Sequence, residues 1–202
     1  MRAVLDGAWD LMAREGVAAL SVRQLARDLG VRQQSLTYYF RTKQDLLDAL
    51  FADGFAQLRP LLEEAGAGTG AGERLEATVE ALLRYCTAHP ERYHLMLQRT
   101  VPGFSPSEGS HDVAVAALRV LLERLAAAGV NRPEDILAVR GLINGLAAEQ
   151  IANDPGGNSY VRQARRALRA LLSGLATHPP QEPPINEEQP CPSTACTTSC
   201  SQ

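Results

Sequence analysis

The sequence predicts an all-α protein, and three observations carry that expectation. The apolar residues are mostly Ala, Leu and Val, while aromatics make up only 5% of the chain, a mix whose intrinsic propensities favour helix over strand. Apolar positions recur three and four residues apart along most segments, the period of one helix face. Gly, Pro, Ser and Thr fall between these segments, where helices start and stop. At 202 residues and 45% hydrophobic content, the chain can bury a core, as one domain or as a small domain fused to a larger one.

Val4, Leu5, Ala8, Trp9 and Met12 share a face of a first helix, which Gly16 ends in the left-handed conformation. Ser21 and Gln24 resemble a capping box opening a short second helix that carries Val22, Leu25, Ala26 and Leu29 before Gly30. A third short helix spans Arg32 to Phe40. Thr42 with Asp45 caps a longer fourth helix through Leu46, Leu47, Leu50 and Phe51. The run Gly66 to Gly72 is too glycine-rich to stay helical and predicts a loop.

Leu75, Val79, Leu82, Leu83 and Cys86 mark a fifth helix. Pro90 ends it and suits the first turn of a sixth, from Glu91 to about Arg99. Pro102 to Gly109 reads as a long loop. Ser110 is the expected cap of a seventh helix that buries Val113, Ala117, Leu118, Leu121, Leu122 and Leu125 and stops at Gly129. Pro133 starts an eighth, with Ile136, Val139, Ile143, Leu146, Ala147 and Ile151 inward. After a turn at Asp154 to Gly157, the last helix runs from about Ser159 to Leu175 with Arg162, Arg165, Arg166 and Arg169 outward, a solvated face. The expectation is about nine helices and no strand.

Charge is distributed unevenly. From Ser21 to Lys43 there are five cations, Arg23, Arg27, Arg32, Arg41 and Lys43, against Asp28 alone, a local charge of +4 that leaves −7 on the remainder. Such a chain approaches a phosphate backbone with one face only. The same segment has the parts of a helix-turn-helix: Ala26 as the small residue where two helices cross, Gly30 in the turn, and Leu25, Leu29, Val31, Leu36 and Tyr39 as packing residues. Arg32, Gln33, Gln34, Ser35, Thr37 and Tyr38 remain on the outer side of the second helix, where hydrogen-bonding groups suit base edges and phosphates. Arg23 and Arg27 either touch phosphate or face water.

Gly16 to Phe40, followed by Arg41-Thr-Lys-Gln-Asp-Leu-Leu47, resembles the TetR family of transcriptional regulators, whose junction into the fourth helix reads F-x-S/T-K-x-x-L. The resemblance covers about the first 50 residues. It implies a three-helix DNA-binding head fused to a ligand-binding and dimerisation body of about six helices, here residues 1–47 and 48–176. It makes Gln33, Gln34, Ser35, Thr37, Tyr38 and Tyr39 the recognition surface and gives Lys43 a phosphate contact. Two positions depart from the pattern. Thr37 stands where many relatives have a backbone-bracing Tyr, a role open to Tyr38, and Arg32 stands where a Ser or Thr often caps the recognition helix. With the first helix starting almost at the first residue, no basic arm is expected ahead of it.

The resemblance further implies a repressor released from operator DNA by a small-molecule effector of unknown identity, acting as a homodimer through the last two helices. The competing readings are that both helices are internal core, and that the chain is a helical interaction module with a non-functional reader. The implied pocket draws on the fifth to eighth helices: Tyr85, Tyr93, Met96, Leu97, Phe104, Leu118, Ile143, Asn144 and Gln150. No nucleophile-base pair, phosphate loop or metal-ligand spacing points to an enzyme, a cofactor or a metal, and His89, His94 and His111 have no diagnostic spacing. No segment is long and apolar enough for a membrane span, so the cytoplasm is expected. Residues 177–202, rich in Pro, Glu, Gln, Ser and Thr, are expected to be disordered, and Cys191, Cys196 and Cys200 within them to be free thiols rather than a metal or redox site.

Overall fold

A computed structural model of the chain describes residues 1–177. Thr177, expected to begin the tail, is the last residue of the final helix; residues 178–202, with the three cysteines, lie outside the described residues. Those residues form nine α-helices and no strand. The first is α1 (Arg2–Ala19), broken at Gly16, whose φ of 79° ends the regular turn as the sequence predicts. α2 (Val22–Asp28) is capped by the Ser21 hydroxyl, which accepts from the Gln24 backbone N–H. The Gln24 side chain does not return the bond but donates to Asp28, so this is a single cap and not a box. α3 (Gln33–Thr37) is shorter than the sequence suggests.

α4 (Lys43–Glu64) opens with a complete capping box between Thr42 and Asp45. The Asp45 carboxylate accepts from the backbone N–H groups of Thr42 and Arg41, and those bonds hold it below the usual carboxylate range. This helix runs out of the head into the body, burying Leu46, Leu47, Leu50, Phe51, Phe55, Leu58 and Leu62. α5 (Ala71–Ala88) starts inside the segment expected to be loop, at Ala71. α6 (Pro90–Tyr93) continues into one π-helical turn, His94–Gln98, and stops at Arg99 in the left-handed conformation with φ 52°.

α7 (Glu108–Ala127) lies along α4. Its cap is Ser107, whose hydroxyl accepts from the Ser110 N–H. Ser110 is instead inside the first turn, because Asp48 of α4 takes its hydroxyl (2.8 Å) together with the Ser107 N–H (2.7 Å) and hydroxyl (2.8 Å). Gly129, with φ 86°, follows the helix. α8 (Pro133–Asn153) leads through the turn at residues 154–160 and a 3₁₀ turn, Val161–Gln163, into α9 (Ala164–Thr177). α5 sits at the centre of the body and touches α4, α7, α8 and α9. Its Glu80 and Glu76 accept from Arg165 (2.7 Å) and Arg169 (2.7 Å) of α9. The arginine face of the last helix is therefore only partly solvated: two of its four guanidinium groups clamp α9 to α5, which holds both Glu76 and Glu80 below their ordinary values.

One hydrophobic core runs from Ala8 in the head to Leu168 in the body. A continuous core means that displacing the head strains packing in the body, since close-packed interiors transmit movement.

Candidate nucleic-acid interface and body cavity

α2 and α3 cross at Leu25 and Ala26, both buried, and Gly30 makes the turn with φ 64°. The Val31 N–H closes the turn on the Ala26 carbonyl (3.0 Å). Leu36 of α3 and Phe40 in the turn after it face inward at 4% exposure each. Val31 and Tyr39, expected to pack, are 44% and 59% exposed. For Tyr39 the reason is the length of α3. The helix ends at Thr37, and the following turn, with the N–H groups of Tyr39 and Phe40 both on the Leu36 carbonyl, swings Phe40 in and Tyr39 out.

Arg32, Gln33, Gln34, Ser35, Thr37, Tyr38 and Tyr39 are all exposed, and five of them line one shallow groove. The amides of Gln33 and Gln34 have no hydrogen-bond partner among the described residues, so their donors and acceptors are available. The Thr37 hydroxyl donates to the Gln33 carbonyl one turn back (3.0 Å). Tyr38 and Tyr39 rest edge to face, 5.1 Å between ring centres. Around this face Arg23, Arg27, Arg32 and Arg41 are exposed, and the guanidinium of none of them is in an ion pair within 4.0 Å among the described residues. Asp28, the one acid of the segment, is held by Arg14 (3.2 Å) and Gln24 (2.8 Å).

The structure places Lys43 differently from the other cations. Its ammonium donates to the carbonyls of Val17 and Ala18 (3.2 Å), at the end of α1. A cation satisfies carbonyls left open at a helix C-terminus. Lys43 thus joins the end of α1 to the start of α4, half-buried inside the head.

Head and body meet around Trp9, which is buried. Its indole N–H donates to Asp53 (2.9 Å), which also accepts from Arg2 (2.6 Å) and Gln57 (2.6 Å). Gln57 accepts in turn from Arg92 of α6 (2.8 Å), whose guanidinium stacks over Trp9 (5.0 Å) and Tyr85 (5.6 Å). The Tyr85 hydroxyl donates to the Gly54 carbonyl (2.9 Å), and burial pushes its phenol above the ordinary value, so it remains a donor.

Two family models match this arrangement of a helix-turn-helix head on a helical body. Residues 4–50 match the bacterial regulatory proteins of the tetR family, and residues 75–178, about half of the chain, match the tetracyclin repressor-like C-terminal domain. The chain belongs to the TetR family. An HTH-type transcriptional regulator of Saccharopolyspora erythraea is 28% identical over 187 residues, 89% of this chain and 74% of that protein. One from Mycobacterium tuberculosis is 27% identical over 116 residues, 55% of this chain. That match spans about half (50%) of the mycobacterial protein's own length. Among solved structures, the TetR-family transcriptional regulator PfmR from Thermus thermophilus superposes with a TM-score of 0.61 at 26% identity, covering 85% of this chain and 98% of that one.

In this TetR-family chain the body holds a cavity of about 230 Å³ between α5, α7 and α8. Leu97, Leu118, Ile143 and Asn144, four of the nine residues expected at a pocket, line it. Tyr93 stands behind its wall, with its hydroxyl on the Asn144 carbonyl (3.1 Å). The other four are engaged elsewhere. Tyr85 belongs to the head–body joint, Met96 packs against Gly54, and Phe104 lies on Phe51 with 5.9 Å between ring centres. Gln150 braces the α8–α9 turn: its amide donates to the Asp154 carboxylate (3.0 Å) and accepts from the Tyr160 N–H (2.9 Å).

Arg140 also lines the cavity and was not anticipated from sequence, although its place one turn before Asn144 on α8 puts both on one face. Among the described residues no group of three or more His, Cys, Asp or Glu is placed to hold a metal ion, and no helix is long and apolar enough to cross a membrane.

Proposed function

We propose that this protein is a sequence-specific DNA-binding transcriptional regulator, a cytoplasmic repressor that leaves its operator when a small molecule fills the body cavity. The observation that carries the reading is the face of α3: seven exposed residues, Arg32 and two unpartnered glutamine amides among them, flanked by the exposed Arg23, Arg27 and Arg41 and fixed from behind by Leu36 and Phe40. Glutamine can pair in bidentate fashion with adenine in the major groove, while the arginines and tyrosines take phosphates. Lys43 supports this surface from within, by holding α1 and α4 at a fixed angle, and adds its charge beside the backbone.

Two such faces spaced one helical turn apart require a dimer. Its proposed surface is α8 and α9, where Leu137 is exposed and Leu171, Leu172 and Leu175 are half-buried. A ligand that favours a body conformation with wrongly spaced heads would shift the population off DNA.

Footprinting on the DNA upstream of the chain's own gene tests the proposal. A palindromic protected site is expected, with affinity falling steeply with salt. Eight arginines in a dimer allow a log–log slope as steep as about −7. Binding that is insensitive to both salt and sequence, or no binding, would overturn it.

A further inference from the structure

We infer that the ligand of the α5–α7–α8 cavity is an apolar molecule ending in a carboxylate, anchored at the mouth by Arg140. This inference rests on the proposed sensor role of the cavity and adds the class of molecule sensed. The walls are apolar: Leu118, Leu121, Leu122 and Leu125 from α7, Leu82 from α5 and Ile143 from α8. Among these lining residues the charge is supplied by Arg140, and the polar residue beside it is Asn144, four residues along the same helix.

In the single chain Arg140 is exposed, on the stripe of α8 that also carries Leu137 of the proposed dimer surface, and it makes no ion pair or hydrogen bond among the described residues. It differs in this from Arg132, Arg165 and Arg169 of the same region, each of which holds a carboxylate at 3 Å or less. A guanidinium presents a planar fork of donors that matches a carboxylate in two parallel bonds. Placed at the rim of a leucine-lined cavity, that pair forms where apolar walls exclude water from one side, which strengthens it. The Asn144 amide can supply a third bond. A cationic ligand would meet uncompensated repulsion at the same point, and a neutral one would leave the fork to water.

Size follows from volume. A cavity of about 150 Å³ holds benzene, so 230 Å³ accommodates roughly nine non-hydrogen atoms. With the carboxylate at the rim, the apolar part inside amounts to about eight or nine carbons.

The test titrates the full chain with straight-chain carboxylates of about six to twelve carbons, bracketing that size, alongside the matching primary alcohols and primary amines. Calorimetry and thermal melting are the readouts. Affinity for the acids should rise about four-fold per methylene and level off once the cavity is full. Alcohols of equal length should bind about ten-fold or more weakly, and amines more weakly still.

Arg140→Gln, a change at an exposed position, should erase the gap between acid and alcohol while leaving alcohol binding intact. Leu121→Trp, which fills the cavity, should weaken both. Acids and alcohols binding the wild type equally, a gap that survives Arg140→Gln, or no binding by any series would each overturn the inference. A ligand-free operator gel shift separates this from the underlying reading. DNA binding without carboxylate binding sinks the ligand class and leaves the regulator, whereas carboxylate binding without DNA binding does the reverse.

Discussion

Lys43 sits where two helix ends meet, and its single charge serves the open carbonyls of α1 before it serves any ligand. Lys43→Ala should therefore lower unfolding stability by roughly 0.5–1 kcal/mol in urea titration, through loss of a C-terminal cation. It should also weaken all DNA sequences alike in gel shifts. Gln34→Ala, at an exposed amide, should leave stability unchanged and alter base preference; identical DNA profiles for the two variants would refute the division of roles. Cys86 offers a separate residue-scale test. Burial pushes its thiol up to about 12, so its contribution to stability is complete below the ordinary thiol value near 9 and declines as pH rises from there through about 12. Native chain treated with iodoacetamide at mildly alkaline pH should show Cys86 unmodified by peptide mass spectrometry, and unfolded chain should show it modified. The exposure of the polar face of α3 was legible in the sequence because residue type and helical spacing define it. The outward turn of Tyr39 was not, because it depends on where α3 stops and on the turn that follows Leu36.

Helix ends divide in the same way. Thr42 and Asp45 lie three residues apart and announce their box in the sequence. The choice of Ser107 over Ser110 as the cap of α7 is made by Asp48, 59 residues earlier in the chain. The clamps of α9 on α5 likewise join residues 85 and 93 apart, beyond the reach of any local pattern. Asp48→Ala should release the N-terminus of α7 and cost about 1–3 kcal/mol in urea unfolding, since it strips three side-chain hydrogen bonds and leaves the buried Ser110 hydroxyl only its longer contact with the backbone carbonyl of residue 48 (3.4 Å). A crossing elsewhere is limited by space. A methyl group on Gly54 of α4 would run into the Met96 thioether of the π-helical turn. Gly54→Ala should cost about 1–3 kcal/mol by overpacking, and Met96→Ala in the same chain should recover part of that loss. Equal stability of Gly54→Ala and wild type would show that Met96 moves aside freely.

For the molecule as a whole, the all-α class and the order of the helices were readable because periodicity and punctuation agree along the chain. Four of the nine residues expected at a pocket line the α5–α7–α8 cavity, since spacing shows which side chains face inward and not which inward positions leave space. Assembly supplies a prediction at this scale. Sedimentation should give a dimer at micromolar concentration, and Leu137→Asp on α8 should shift it toward monomer; an unchanged dimer would move the interface elsewhere. Acid provides another. The Asp154 carboxylate is held down to about 2, chiefly by the Ser159 N–H and the Gln150 amide, so its stabilisation of the α8–α9 turn is present above about 4 and lost as pH falls toward 2. Helicity followed by circular dichroism through that window should fall more steeply in the wild type than in Asp154→Asn. Finally, the chain has one tryptophan, and it lies at the joint between head and body under the Arg92 guanidinium. That placement makes the protein its own optical gauge: a change in head angle that lifts Arg92 from the indole or parts it from Asp53 alters the emission of a single fluorophore, so effector binding can be followed on unlabelled protein without DNA present.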